Sequence, residues 1–68
     1  MFELDGKTIR GLLLEKKMTL RELAKAASIT ETTAQKISRG GARTNAKTAG
    51  KVADALGVDA RTIIKETD

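Results

Sequence analysis

Apolar residues recur at helical spacing along most of this chain. Ile9, Leu12 and Leu13 follow an i, i+3, i+4 pattern, which predicts an amphipathic first helix over residues 6–17. Polarity alternates over residues 1–4, and this segment is either a short strand or a disordered arm. The dominant period is therefore that of an all-α protein.

Residues 19–39 predict two short helices joined by a tight turn. Thr19 and Glu22 have the spacing of a capping box, which begins the second helix. Ser28 lies in the turn and would adopt a positive φ, a conformation that glycine prefers and serine tolerates at some cost. Thr30 can cap the third helix by accepting a backbone N–H from its first turn.

The third helix, over residues 30–39, has one polar and one apolar side. At about 100° per residue its polar side chains fall in one arc of roughly 140°. Ala34 and Ile37 lie on the opposite side, so the helix can pack on a core and still present donors and acceptors outward. The polar arc contains Glu31, Thr32, Gln35, Lys36 and Arg39.

Gly40 and Gly41 are predicted to end the third helix, and a loop follows over residues 42–44. Two further helices are predicted after this loop. Asn45 can cap a fourth helix, and Asp59 a last short helix that runs to about residue 66. Gly50 lies within the fourth helix, where either something packs close to it or the helix is weaker by about 1 kcal/mol than with alanine. We expect five short helices, with or without the N-terminal strand, in a single domain of 68 residues.

The composition excludes several classes of site. The chain has no Cys and no His, which rules out disulfides, the usual zinc sites and His-based acid–base catalysis. Its one aromatic residue is a Phe, which argues against proteins that stack bases on aromatic side chains. We expect no enzyme activity, cofactor, metal or small-molecule ligand. Without a long apolar run or signal pattern, we expect a cytoplasmic protein with no membrane partner.

The placement of charge favours an anionic partner. The net charge is +4, and residues 32–53 contain no acid at all. A solvated face usually mixes signs, so this segment points to nucleic acid rather than to an ordinary basic surface. Its cations are Lys36, Arg39, Arg43, Lys47 and Lys51.

Four segments occur in an order and register that resemble a known family. They are M-T-L-R-E-L-A (18–24), S-I-T-E-T-T (28–33), I-S-R-G (37–40) and V-A-D-A-L-G-V-D (52–59). The series is similar to the lambda-repressor/Cro type of helix-turn-helix domain, also called the xenobiotic-response-element type. This resemblance covers most of the chain. It implies five helices, with the second and third forming the helix-turn-helix and the third lying in the DNA major groove.

The resemblance implies base contacts from Glu31, Thr32 and Lys36, with Gln35 close by. Lys36 can donate to guanine, Gln35 can read adenine, and Thr32 can contact a thymine methyl or a phosphate. Glu31 either accepts a hydrogen bond from cytosine N4 or only complements the dipole of its helix.

Phosphate contacts are expected to supply most of the affinity. Arg39 and Arg43 are the first candidates, and their alternative role is an exposed charge after a helix. Arg21 and Lys47 are further candidates with the same alternative. Thr19 is either a phosphate contact or only a helix cap.

Tight binding by one such helix usually requires a dimer on a two-fold operator. Leu14, which lies about 140° from Ile9 on its helix, and Ile64 are candidate contacts for a homodimer, although Ile64 could instead close the core of one chain. The leading hypothesis is a sequence-specific regulator of double-stranded DNA, a phage or bacterial repressor acting by operator occupancy. The alternative is a protein-interaction module on the same fold. It is suggested by Leu14 and by Leu20, which replaces the polar residue common in the family.

Overall fold

Five helices and two short strands make up residues 2–65, the part of the chain that the computed structural model describes. None of the helices in this part is long and apolar enough to cross a membrane. The elements are β1 (Phe2–Glu3), α1 (Gly6–Lys16), α2 (Leu20–Ala27), α3 (Glu31–Arg39), β2 (Arg43–Thr44), α4 (Ala46–Leu56) and α5 (Ala60–Ile63).

Each helix begins at a polar side chain that accepts a hydrogen bond from its first turn. At α2 the backbone N of Glu22 donates to Thr19 Oγ1 at 3.1 Å, and the backbone N of Thr19 donates to Glu22 Oε1 at 2.9 Å. This is the predicted capping box. The predicted caps Thr30, Asn45 and Asp59 are also confirmed. These side chains satisfy N–H groups that a helix start leaves without a partner.

Two of the capping carboxylates are stabilised in their charged form. Hydrogen bonds from the hydroxyl and backbone N–H of Thr8 lower the pKa of Asp5, the cap of α1. The hydrogen bonds with Thr19 lower the pKa of Glu22. Because both pKa values are lowered in the folded chain, these caps are at full strength at neutral pH. They weaken as pH falls below the ordinary values of 3.8 and 4.5.

Left-handed residues end several of the helices. Ser28 ends α2 with a φ of 56°, which confirms the predicted positive value in the turn. Lys17 ends α1 with a φ of 55°, so this helix stops one residue before its predicted end. Its backbone N–H bonds to carbonyls of the last turn, as does that of Ser28.

The N-terminal segment forms a strand, which decides between the two predicted forms. Phe2 pairs with Thr44 and Glu3 with Arg43 in an antiparallel ladder. The prediction of a plain loop over residues 42–44 was therefore wrong for Arg43 and Thr44. The sequence could not predict this strand for two reasons. Two residues are too few to show the alternation of polar and apolar side chains, and the hydrogen bonds of the strand go to a distant part of the chain.

The end of α5 also differs from the prediction. The helix stops at Ile63, and Ile64 is extended and forms an isolated bridge with Leu4. The Asp5 backbone N donates to the Ile63 carbonyl at 2.7 Å, and the Lys65 backbone N to the Glu3 carbonyl at 2.8 Å. This pairing with the N-terminal segment replaces the next helical turn. The predicted helix end near residue 66 lies outside the described residues.

The core combines branched side chains with small ones. Alanines on α2, α3 and α4 let these helices approach closely, while leucine and isoleucine fill the space at the centre. The apolar side of α4, formed by Ala49, Val52, Ala53 and Leu56, is buried, and Leu4 joins the core from the N-terminal segment. The buried apolar residues are Leu4, Ile9, Leu13, Leu23, Ala24, Ala27, Ala34, Ile37, Ala49, Val52, Ala53, Leu56 and Ile63.

The start of α1 lies directly against the end of α3. A Cβ atom added to Gly6 would come within 2.6 Å of Gly40 Cα and 2.7 Å of the Ser38 carbonyl oxygen. Real Cβ atoms do not approach backbone so closely, so only glycine fits at position 6 without moving one helix relative to the other.

Two other helical glycines have no such neighbour. A Cβ added to Gly11 in α1 or Gly50 in α4 would meet nothing within 4 Å, counting the described part of the chain. Gly50 therefore does not make room for another element packed close to α4. It weakens the helix instead, as the other interpretation of this glycine predicts.

We predict that Gly50→Ala and Gly11→Ala each raise the free energy of unfolding by about 0.5–1 kcal/mol. Alanine loses less backbone entropy on folding and meets no obstacle at either position. Chemical denaturation of the variants would measure this. Gly6→Ala is the control and should lower the free energy of unfolding by about 1–3 kcal/mol through its backbone clash. A loss of stability in Gly50→Ala would contradict the open space beside α4.

Candidate nucleic-acid interface

The two sides of α3 have the composition predicted for them. Ala34, Ile37 and Ser38 are buried, and Thr33 is half-buried. The remaining residues point to solvent and form the surface that we call the polar face of α3. It consists of Glu31, Thr32, Gln35, Lys36 and Arg39, all of them exposed.

The start of α3 is fixed by the turn that leaves α2. The backbone N of Ile29 donates to the Ala24 carbonyl at 2.9 Å, and the Ile29 side chain packs against the core. Thr30 Oγ1 accepts from the backbone N of Thr33 at 3.1 Å and donates to the Thr33 hydroxyl at 2.8 Å. The first turn of α3 therefore has a defined position relative to α2.

The end of α3 is held from α1. The Arg10 guanidinium donates to the Ser38 carbonyl oxygen, in the last turn of α3. A cation at this end also complements the helix dipole. Together with the close approach of Gly6 to Gly40, this contact between residues 28 positions apart in sequence joins α1 to α3.

Arg10 is a functional residue that the sequence does not reveal. It lies on the exposed side of α1 and carries no motif of its own. Its role depends on the packing of α1 against α3, which is a tertiary contact. No local signal in the sequence could have shown it.

The structure brings two of the predicted site residues into contact. Arg21 Nε lies 3.6 Å from Glu31 Oε2, so the first turn of α2 is ion-paired with the first turn of α3. The side chains are 84% and 49% exposed respectively. The sequence predicts a phosphate contact for Arg21 and a base contact for Glu31, without connecting the two residues.

The other predicted phosphate contacts are distributed over several elements. Arg39 is the last residue of α3, Arg43 lies on β2, and Lys47 is in the first turn of α4. All three are exposed. The hydroxyl of Thr19 serves as the cap of α2, and its oxygen accepts the Glu22 N–H.

The acid-free segment of the sequence is a surface of exposed cations in the structure. Lys36, Arg39, Arg43, Lys47 and Lys51 are all exposed. Within residues 2–65 none of these five forms an ion pair, since the pairs found there are Arg21–Glu31 and Lys65–Glu3. Their charge is therefore available to an anionic partner.

The candidate dimer contacts have different environments. Leu14 on α1 is 81% exposed, which agrees with its place outside the apolar stripe. Ile64 is half-buried and packs against the core next to Leu4. Leu20, the residue that departs from the family, is also half-buried against the core.

Comparison with known proteins gives the family. The model of the helix-turn-helix family, of the Cro/C1 type, matches residues 9–63, which is most of the chain. The protein belongs to this family, as its sequence segments suggested. A search of curated protein sequences found no match.

Solved structures with the same fold include regulators. The restriction-modification controller protein C.AhdI from Aeromonas hydrophila has a TM-score of 0.77 and 23% identity, over 84% of this chain and 86% of that one. The clp gene regulator ClgR from Corynebacterium glutamicum has a TM-score of 0.72 and 28% identity, over 82% and 73% of the two chains. Family and neighbours together support a DNA-binding transcriptional regulator.

A third similar structure is much larger. Streptomyces albus HEPD, solved with 2-hydroxyethylphosphonate and Fe(II), has a TM-score of 0.75 and 26% identity over 84% of this chain. The match spans only 13% of the length of that chain.

We predict that Arg10→Ala lowers the free energy of unfolding by roughly 1–2 kcal/mol, because it removes a charged donor from the end of α3. Equilibrium denaturation would measure the loss. Lys7→Ala, one turn earlier on α1 and also exposed, is the matched control and should change stability little. Equal losses in the two variants would show that Arg10 does not hold α3.

Proposed function

We propose that this protein is a sequence-specific regulator of transcription that binds double-stranded DNA and represses by occupying an operator. The observation that carries the proposal is the polar face of α3, exposed on a helix whose two ends are fixed. A helix held in this way can enter the major groove with little loss of backbone conformational freedom.

Base contacts are assigned to the polar face of α3. Lys36 donates to guanine O6 or N7, and the Gln35 amide pairs with adenine. Thr32 contacts a thymine methyl group or a phosphate. Glu31 accepts from cytosine N4. Each of these side chains is exposed on α3, which is what such contacts require.

Phosphate contacts are assigned to the exposed cations and to one hydroxyl. Arg39, Arg43 and Lys47 carry charge without an acid partner in residues 2–65. Thr19 accepts a hydrogen bond as the cap of α2, and its hydroxyl proton would turn from the Glu22 carboxylate to a phosphate oxygen. Arg21 is the fifth candidate, and its guanidinium is paired with Glu31.

We further propose that the protein acts as a homodimer in the cytoplasm, on an operator with two-fold symmetry. A single recognition helix reads only a few base pairs, and two copies double the number of contacts. Leu14 is the leading contact for a second copy, since a large apolar side chain that is 81% exposed loses unfavourable hydration when covered. Ile64 is half-buried, so only the exposed part of its side chain could contact a second copy. Repression then follows from steric exclusion at the operator.

A second candidate function is a protein-interaction module on the same fold. Leu14 is the observation that favours it, because an exposed leucine suits a protein surface as well as a second copy. Leu20 no longer supports it strongly, since this side chain is partly buried in the core.

Binding to duplex DNA over a series of salt concentrations tests the proposal. We expect measurable binding to mixed-sequence duplex at low salt, with an affinity that falls steeply as salt rises. Arg39→Ala should reduce the slope of log K against log salt by about 1, the effect of one phosphate contact. Arg61→Ala on α5 removes the same charge and should leave the slope unchanged.

Failure to bind any duplex at low salt would contradict the proposal and favour the protein-interaction module. Equal changes of slope in Arg39→Ala and Arg61→Ala would show that the effect is only one of net charge.

A further inference from the structure

The contact between Arg21 and Glu31 joins the two helices of the helix-turn-helix at their first turns. Arg21 is the second residue of α2 and Glu31 is the first of α3. Their closest atoms, Nε and Oε2, are 3.6 Å apart. The pair therefore links a residue assigned to phosphates with one assigned to bases.

A carboxylate on the polar face of α3 has an electrostatic cost near DNA. The phosphates repel it, and a side chain that is 49% exposed is free to turn away from the bases. A guanidinium at 3.6 Å offsets both effects, because it neutralises the charge locally and restricts the positions of the carboxylate. Its attraction increases when DNA excludes water from the contact.

We propose that Arg21 is a positioning residue that determines specificity through Glu31. Its guanidinium holds the Glu31 carboxylate toward the base edges, where the carboxylate accepts a hydrogen bond from cytosine N4. Arg21 is then not an independent phosphate contact. This inference rests on the proposed function, since it requires that the polar face of α3 bind DNA.

The three possible roles of Arg21 have different consequences. An independent phosphate contact supplies affinity equally at all sequences, so its loss lowers the salt slope and leaves base preference unchanged. A purely structural pair affects folding, but a contact this exposed contributes little to stability. A positioning residue instead changes the preference at one base pair, and it does so only while Glu31 is present.

The experiment begins by identifying the base pair that Glu31 reads. Binding sites are selected from a random duplex library with the wild-type chain and with Glu31→Ala. The position whose preference disappears in Glu31→Ala defines two duplexes, the selected site and the same site with that base pair replaced. The ratio of their dissociation constants is the discrimination ratio.

The discrimination ratio is then measured for Arg21→Ala, Glu31→Ala, the double variant and Lys25→Ala. We expect a wild-type ratio of at least about fivefold, the lower end of the usual penalty for one wrong base pair. Arg21→Ala and Glu31→Ala should both bring the ratio close to one, and the double variant should lose nothing further. Lys25→Ala, which removes a cation one turn along α2, should keep the wild-type ratio. Thermal melting confirms that every variant is folded.

Several outcomes would overturn the inference. One is an Arg21→Ala variant that keeps the discrimination ratio while its salt slope falls by about 1, as expected for a phosphate contact. Another is an Arg21→Ala variant that keeps both the discrimination ratio and the salt slope, since Arg21 would then act on neither bases nor phosphates. A wild-type preference that Glu31→Ala leaves intact also overturns it, although the proposed function stands. If the wild-type chain selects no site, the proposed function fails and the inference fails with it.

Discussion

The position of α3 depends on the close contact between the start of α1 and the end of α3. Gly6 lies against Gly40 at a distance that no side chain would allow, and Arg10 reaches from the next turn of α1 to the Ser38 carbonyl. Between these attachments and the turn from α2, Ala34 and Ile37 anchor the helix in the core. Every function assigned to the polar face of α3 assumes this fixed orientation, because a helix that rocked would lose its register with base edges.

The N-terminal segment stabilises a second part of the candidate interface. Its backbone pairs with β2 on one side and with residues 64–65 on the other. Arg43 is therefore carried by a strand and not by a free loop, which reduces the conformational entropy that it would lose on binding a phosphate. Leu4 is fully buried in the core, so this segment also contributes to the stability of the whole fold.

Local signals predicted much of this structure. The caps at Thr19, Thr30 and Asn45, the positive φ of Ser28 and the two sides of α3 all depend on residues within a few positions of each other. Such features are fixed by backbone sterics and by short-range hydrogen bonds, which a sequence displays directly. The family segments then placed these elements in order.

The features that could not be predicted are contacts between distant parts of the chain. The β1–β2 pairing, the extended Ile64 and the Arg10 hydrogen bond join residues that are 28 or more positions apart. The Arg21–Glu31 pair spans the helix-turn-helix, and both residues were recognised as candidates without their being connected. The roles of Gly6 and Gly50 could not be predicted either, because they depend on distant neighbours. The backbone of Gly40 requires a glycine at position 6, whereas no neighbour requires one at position 50.

We propose that the polar face of α3 and the adjacent cations together form the surface that binds DNA. Backbone amide NMR spectra of the labelled protein, recorded during titration with a selected duplex, would locate the binding surface residue by residue. We expect the largest changes in chemical shift in α3 and from Arg39 to Lys47. The chemical shifts of the exposed side of α1 around Leu14 should change little unless a second copy binds there. Changes confined to α1, with α3 unaffected, would show that α3 does not bind DNA.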